Sequence, residues 1–362
     1  MRTDSDIKLG IYRTAMNAEN KDNPVPAERG TGIEPLILDA QGAALATLEL
    51  EPWPEFRLTP DQAAAAETFA GSLLRFGKPG TVEESLAVAR ILSGFLEAHL
   101  PELAALLDAV GRRLGPAAIV LGGLPVTDAP TGELWSLALS LLVGQPFQYR
   151  QQPDGGKLVA ELTPKPGLDH VRNTGQSRAE FDPHTDFTVF APEASPGNLL
   201  LLGVRNGARA WTSYTPIAPI VPDLADWFVR KLMTSAFVYQ APASFTSRVT
   251  LLSKPRPILW QEEGAWHVGL PTYWVRPADE TDRDAQVALD AIISRVRSGR
   301  WTRKIVIGPG DALVFANHRG LHARGTVLGD RLVLRTYITR NLDGIRARTG
   351  DSGRTIDGLK LI

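Results

Sequence analysis

The spacing of hydrophobic and polar positions changes partway along this chain. From Thr59 to about Phe76, and again from about Val82 to Leu100, apolar residues recur at helical intervals, with Leu86, Ile91, Leu92 and Phe95 as the predicted inner stripe of the second segment. Thr59-Pro60-Asp61 reads as an N-cap followed by proline at the first helical position, and Pro101 opens a third helix that ends near Gly115. His99 falls in the last turn of the second helix, where a cation suits the dipole, and is read as structural.

Past that point the elements shorten. Ala118–Leu121 is a short apolar strand, Gly122-Gly123 a turn, and Leu134–Val143 one more buried helix. Strands are predicted at Lys157–Leu162, Leu199–Val204, Lys304–Ile307, Asp311–Ala316 and Arg331–Ile338. A helix within Pro277–Arg297 interrupts them, with Val287, Leu289, Ile292, Ile293 and Val296 on its apolar side. Asn206-Gly207 predicts a tight hairpin returning through Trp211-Thr212-Ser213. Helices first and many short strands afterwards predict a mainly β fold with a helical buttress, its core a sandwich or jelly roll.

Length alone, at 362 residues, allows two domains or one elaborated domain. The pattern favours a polar, poorly ordered segment over 1–34, a single domain over about 35–350 and a loose tail over 351–362. Within the domain the helical scaffold covers about 59–115 and the β core about 118–341. Pro242–Pro257, rich in Ser, Thr and Pro, is long enough to cover a site. No N-terminal apolar run and no membrane-length stretch is present, so a cytoplasmic location is the expectation.

Charge and cysteine content narrow the chemistry. Lys and Arg number 39 against 40 Asp and Glu, which argues against a polyanion-binding surface and for a small-molecule partner. There is no cysteine, so disulfides, zinc–thiolate sites, Fe–S clusters and thiol nucleophiles are excluded. Any metal must be held by histidine and carboxylate.

Such a pair stands in Phe181-Asp182-Pro183-His184-Thr185-Asp186-Phe187-Thr188. If the segment is extended, His184 and Asp186 project to one face and can reach one ion. A third ligand is available in Asn317-His318-Arg319-Gly320-Leu321-His322-Ala323-Arg324, from either His318 or His322. Two histidines and one carboxylate form the ligand set of non-haem Fe(II) oxygenases, although a non-redox cupin-like binding protein or isomerase uses similar donors. His170 and His267 are read as surface or supporting residues. Taking Gly329-Asp330 as a two-residue turn pairs His322 with Tyr337 and puts Arg331, Val333 and Arg335 on the His322 face. Those arginines are either solvent-facing or a fork for a carboxylate.

At these residues, from about Ile119 to Asn341, the chain resembles the Fe(II)/2-oxoglutarate oxygenases of the clavaminate synthase and taurine dioxygenase type. Within that group it is most similar to VioC-like amino-acid hydroxylases of antibiotic biosynthesis. The resemblance implies a double-stranded β-helix core, with Fe(II) on His184, Asp186 and His322. It places the distal carboxylate of the cosubstrate 2-oxoglutarate on Arg331 and Thr212, and the substrate's own carboxylate on Arg335, with Thr174 facing the site. O2 is the oxidant, succinate and CO2 are coproducts, and hydroxylation is the expected outcome, with desaturation, epoxidation or ring formation using the same oxidant. Relatives that hold arginine-like substrates present an acidic pair where this chain has Thr272-Tyr273-Trp274-Val275-Arg276-Pro277. That departure implies an uncharged substrate side chain against Trp274 and Tyr273, or an anion met by Arg276.

Overall fold

The computed structural model describes residues 53–362, apart from 76–78, 113–114, 153–155 and 242–249. The expectation for 1–34 and the first half of the proposed covering segment lie outside these residues.

Strand β1 (Glu55–Arg57) leads into helices α1 (Pro60–Arg75), α2 (Val82–His99) and α3 (Pro101–Gly111). Thr81 caps α2 by accepting from the Glu84 N–H while Glu84 returns the bond to the Thr81 N–H, which satisfies two otherwise orphaned donors. The buried stripe of α2 is Leu86, Ala89, Leu92, Ser93 and Leu96. Ile91 is 53% exposed, contrary to expectation, because Leu92 already occupies the inward turn. After β2 (Ala118–Gly122), α4 (Ala129–Val143) begins ahead of the predicted Leu134, capped by Asp128 and Thr131 with Pro130 in its first turn.

The strands then follow as β3 (Gln145–Tyr149), β4 (Val159–Leu162), β5 (Phe181–His184), β6 (Asn198–Asn206) and β7 (Trp211–Pro216). Helix α5 (Asp226–Leu232) precedes β8 (Phe237–Tyr239), β9 (Leu259–Glu262), β10 (Ala265–Val268) and β11 (Val275–Pro277). Helix α6 (Arg283–Arg297) precedes β12 (Arg303–Val306), β13 (Ala312–Ala316), β14 (Gly320–Arg324) and β15 (Arg331–Thr339), and α7 (Leu342–Thr349) and β16 (Thr355–Ile356) close the chain. In α6 the buried residues are Ala285, Ala288, Leu289, Ile292 and Val296, and Val287 is 48% exposed on the outer side.

Two sheets carry the fold. The larger runs β1-β2-β13-β6-β15-β3-β16, with β4 also paired to β15, and the smaller runs β12-β7-β14-β5. Alternate residues of the large sheet enter two different cores. Leu200, Leu202 and Val204 of β6, Val314 of β13 and Leu332, Leu334 and Ile338 of β15 pack against the helices. Leu199, Leu201, Leu313, Phe315, Val333 and Tyr337 face the small sheet and meet Tyr214 there. The near-continuous apolar run of β6 is what burial on both faces requires, and each such leucine contributes roughly 1.5–3 kcal/mol of burial. Phe315 lies 5.2 Å from Tyr214 and 4.9 Å from His322, ring to ring, so the two sheets close directly on one another.

Both predicted hairpins are absent. After Asn206-Gly207 the chain leaves the large sheet, and β7 pairs with β12 and β14 instead of β6. The Asn206 amide is occupied with Ala210 and with the Ile307 carbonyl, which tie down this crossing. Likewise β14 pairs with β5 and β7, whereas β15 pairs with β6, β3 and β4, so His322 is not opposite Tyr337 in a ladder. The inferred shared face survives for a different reason: the odd-numbered residues of β15 point toward the small sheet across the interior. The C-terminus is no loose tail either, since β16 adds in parallel to β3 and Ile356 is fully buried.

Candidate metal centre and adjoining cavities

Strand pairing brings the metal-ligand candidates together. His322 on β14 is the direct cross-strand partner of His184 on β5. Asp186 joins them from a turn, since β5 ends at His184 and the chain bends through Thr185–Phe187 with Phe187 at φ 57°. A bulky residue in the left-handed region is uncommon and is maintained only by its surroundings. One donor atom from each of His184, Asp186 and His322 lies within 4.8 Å of the others, a spacing one ion can bridge. His184 Nε2 is 3.3 Å from Asp186 Oδ1 and His322 Nε2 is 3.9 Å from Asp186 Oδ2.

Supporting contacts fix these side chains. His184 donates from Nδ1 to the Asp182 carbonyl at 2.7 Å, which leaves Nε2 with a free lone pair for a metal. Phe181 stacks on the same ring at 3.9 Å. Asn317, fully buried, accepts from the Asp186 N–H and donates to the carbonyls of Asp186 and Pro196, each at 3.0 Å. Burial pushes the Asp186 carboxyl upward, but its polar neighbours His184, His322 and Arg335 outweigh it and hold the group well below the usual carboxylate range. Burial and the neighbouring His184 pull His322 down to about 3, so its imidazole is neutral at ordinary pH, as a metal ligand must be. His318 lies outside the cluster, with its ring 5.4 Å from Trp260. His170 is exposed, and His267 is buried beside Trp260, 5.6 Å away.

Two cavities open from this centre. The inner one is lined by Thr212, His322, Arg324, Arg331 and Arg335, the last shared with the outer one. Arg331 is 2% exposed, and its Nε and one Nη atom have no hydrogen-bond partner; neither has the buried Thr212 hydroxyl. Burial, aided by Arg324, pulls the Arg331 guanidinium down to about 9, still charged at neutral pH. A buried cation and hydroxyl with unused donors form a receptor for an anion, because leaving them unmatched costs several kcal/mol.

The outer cavity contains Thr174, Trp274, Arg335 and Tyr337 beside His184 and Asp186. Arg335 donates to Gln152 at 2.9 Å, lies 3.7 Å from Asp186 Oδ2 and covers the Tyr337 ring at 4.3 Å. Burial and the nearby Asp186 carboxylate hold the Tyr337 phenol well above its ordinary value. Among the described residues lining this cavity, Asp186 is the only carboxylate and Arg335 the only guanidinium. Tyr273 and Arg276 do not line it. Tyr273 is 44% exposed between Arg172 and Arg297, and Arg276 pairs with Glu280 at 2.9 Å.

The clamp by Asn317 and the Gln152 contact were not anticipated. The only signal for Asn317 was its place at the head of the His322 block.

No protein-family model matches the chain. Solved structures do. An asparagine oxygenase in complex with Fe(II), (2S,3S)-3-hydroxyasparagine and succinate superposes with a TM-score of 0.73 at 22% identity, covering 84% of this chain and 99% of that one. The non-haem iron oxygenase OrfP bound to Fe, succinate and (3S)-hydroxy-L-Arg gives 0.71 at 22% identity over 84% of this chain and 99% of its own. OrfP with Fe and alpha-ketoglutaric acid gives 0.70 at 22% identity, covering 84% and 100%. The chain therefore has the fold of these iron oxygenases.

Proposed function

We propose that this chain is an Fe(II)- and 2-oxoglutarate-dependent oxygenase built on a double-stranded β-helix core. In this reading it hydroxylates an unactivated C–H bond of an amino acid or small amino-acid derivative. The observation that carries the reading is the Arg331–Thr212 pair, whose unused donors stand in a buried cavity that reaches His322. A jelly-roll metal protein without redox chemistry has no use for such an anion receptor beside its metal.

The residues present fit the group. Two imidazoles and a carboxylate on one side suit Fe(II) and leave positions open for a chelating keto acid and O2. Bound iron with 2-oxoglutarate would supply the O2 activation, one oxygen atom ending in succinate and the other in the hydroxylated product, with CO2 released. His184, Asp186 and His322 hold the metal, Arg331 and Thr212 fix the far carboxylate of the cosubstrate, and Arg335 orients the substrate by its carboxylate. Thr174 and Trp274 shape the remaining wall. With no second acid in the described wall, the pocket favours an uncharged side chain. The two similar enzymes divide on this point, one holding hydroxyasparagine and the other hydroxyarginine, so the choice rests on the wall residues. Succinate formation with Fe(II), 2-oxoglutarate and a panel of amino acids tests the proposal; no succinate above background with any of them would overturn it.

A further inference from the structure

The turn that presents Asp186 continues through Phe187-Thr188-Val189-Phe190 outside any helix or strand, so its buried carbonyls need partners from elsewhere. The Phe187 carbonyl accepts from the Phe190 N–H at 3.0 Å and the Ser195 hydroxyl at 2.9 Å. The next three converge on one side chain. Arg256 donates to the Thr188 and Val189 carbonyls, each at 2.7 Å, and to that of Phe190.

Arg256 is itself a fixed point. It stands directly before Pro257, which biases its backbone to an extended form. Its backbone N–H and carbonyl are both bonded to Phe237, at 2.8 and 3.3 Å, and its guanidinium lies 5.3 Å from the Tyr239 ring. The guanidinium serves the three carbonyls from two nitrogens fixed in one plane, whereas an ammonium would have to serve all of them from a single nitrogen. Thr188 and Val189 also line the outer cavity beside Asp186.

We infer that Arg256 is a positioning residue for the metal site: by gripping three successive carbonyls just beyond Asp186, it holds the carboxylate ligand and the adjoining pocket wall in place. Asn317 grips the same turn from the opposite end, at Asp186 itself. The inference rests on Asp186 being a metal ligand.

The test titrates Fe(II) anaerobically into the wild type, Arg256→Leu, Arg256→Lys and, as a control for plain loss of stability, Leu289→Ala in α6. Arg256→Leu is expected to raise the Fe(II) dissociation constant about tenfold, the lower end of what supporting partners of metal ligands contribute. Arg256→Lys should fall between it and the wild type, and Leu289→Ala should bind iron normally even where its Tm drops as far. In the metal-free Lys variant, amide hydrogen exchange should quicken over 187–190 and not in α6. Iron affinity within about twofold of wild type in both Arg256 variants, with exchange over 187–190 unchanged, would overturn the inference. Should the Leu variant not fold, the Lys variant and its exchange pattern carry the test. Failure of the wild type to bind Fe(II) is a separate outcome: it overturns the metal-site reading, and the positioning role falls with it.

Discussion

His184 and His322 face each other across the β5–β14 ladder, their rings 4.0 Å apart. Asp186 closes the triangle from the turn. Replacing His184, Asp186 or His322 by alanine is expected to abolish stoichiometric Fe(II) binding, measured anaerobically, and with it succinate formation. His318→Ala should retain the metal, since that ring packs on Trp260 instead. Iron loss in His318→Ala with retention in His322→Ala would reverse the assignment.

Arg331→Met separates the cosubstrate from the metal. The lost charge-assisted contact is worth about 1.5 to 3 kcal/mol, so the 2-oxoglutarate dissociation constant should rise roughly tenfold to a hundredfold while Fe(II) affinity is kept. Thermal shift reports the same split: metal should still raise the Tm of the variant, and the further rise on adding 2-oxoglutarate should shrink. An unchanged 2-oxoglutarate dependence would move the role to another arginine.

Substrate charge is tested by anaerobic titration of the Fe(II)–2-oxoglutarate complex with asparagine, leucine, proline, aromatic amino acids and arginine, followed in the visible spectrum. A response to one or more neutral amino acids and a weak one to arginine is expected, because the described wall offers no free carboxylate for a second cation. A response to arginine well above every neutral amino acid would refute this. In Arg335→Leu the response should weaken for every amino acid alike.

Asn317→Ala would leave the Asp186 N–H and two buried carbonyls without their partner. A loss of about 2 to 4 kcal/mol in unfolding free energy is expected, together with weaker Fe(II) binding. Denaturant unfolding of the metal-free protein measures the first and titration the second.

Ile356→Ala should destabilise the fold by about 2 to 5 kcal/mol, as a core substitution does, since this side chain is fully buried and its strand pairs with β3. A change within about 0.5 kcal/mol, the range of surface sites, would restore the view of a loose tail.

The gathering of candidate side chains was readable in advance because it depends on few residues: His184, Asp186 and His322 cluster within 4.8 Å of one another, and Thr212 and Arg331 line one cavity with His322. The elements that bring them together were harder to read. Turn chemistry at Asn206-Gly207 and before Arg331 marks where the chain turns, not which sheet the next strand joins, and in both cases it crosses to the opposite sheet. Asp186 was assigned to the right neighbourhood by an argument about strands, although a turn puts it there. Asn317 and Arg256 escaped notice because they act on backbone carbonyls, which carry no sequence pattern. Ile91 and Val287 show the limit of periodicity, which marks a helical face broadly and leaves its edge residues ambiguous.

Arg331 and Arg335 ride on one strand, β15, whose neighbours β6, β3 and β4 flank it on both sides. Four residues of extended chain make a ruler of about 13 Å between the anchor proposed for the cosubstrate and the one proposed for the substrate. Neither mark can be moved alone: sliding the strand by one residue would turn both guanidiniums into the leucine-lined side under the helices and bring Leu332 and Leu334 to the side of the proposed metal site. Divergence toward new substrates on this scaffold should therefore keep the ruler and rework what surrounds it, so that molecules of different length are met by altered walls around Thr174 and Trp274 and the anchor spacing is left untouched.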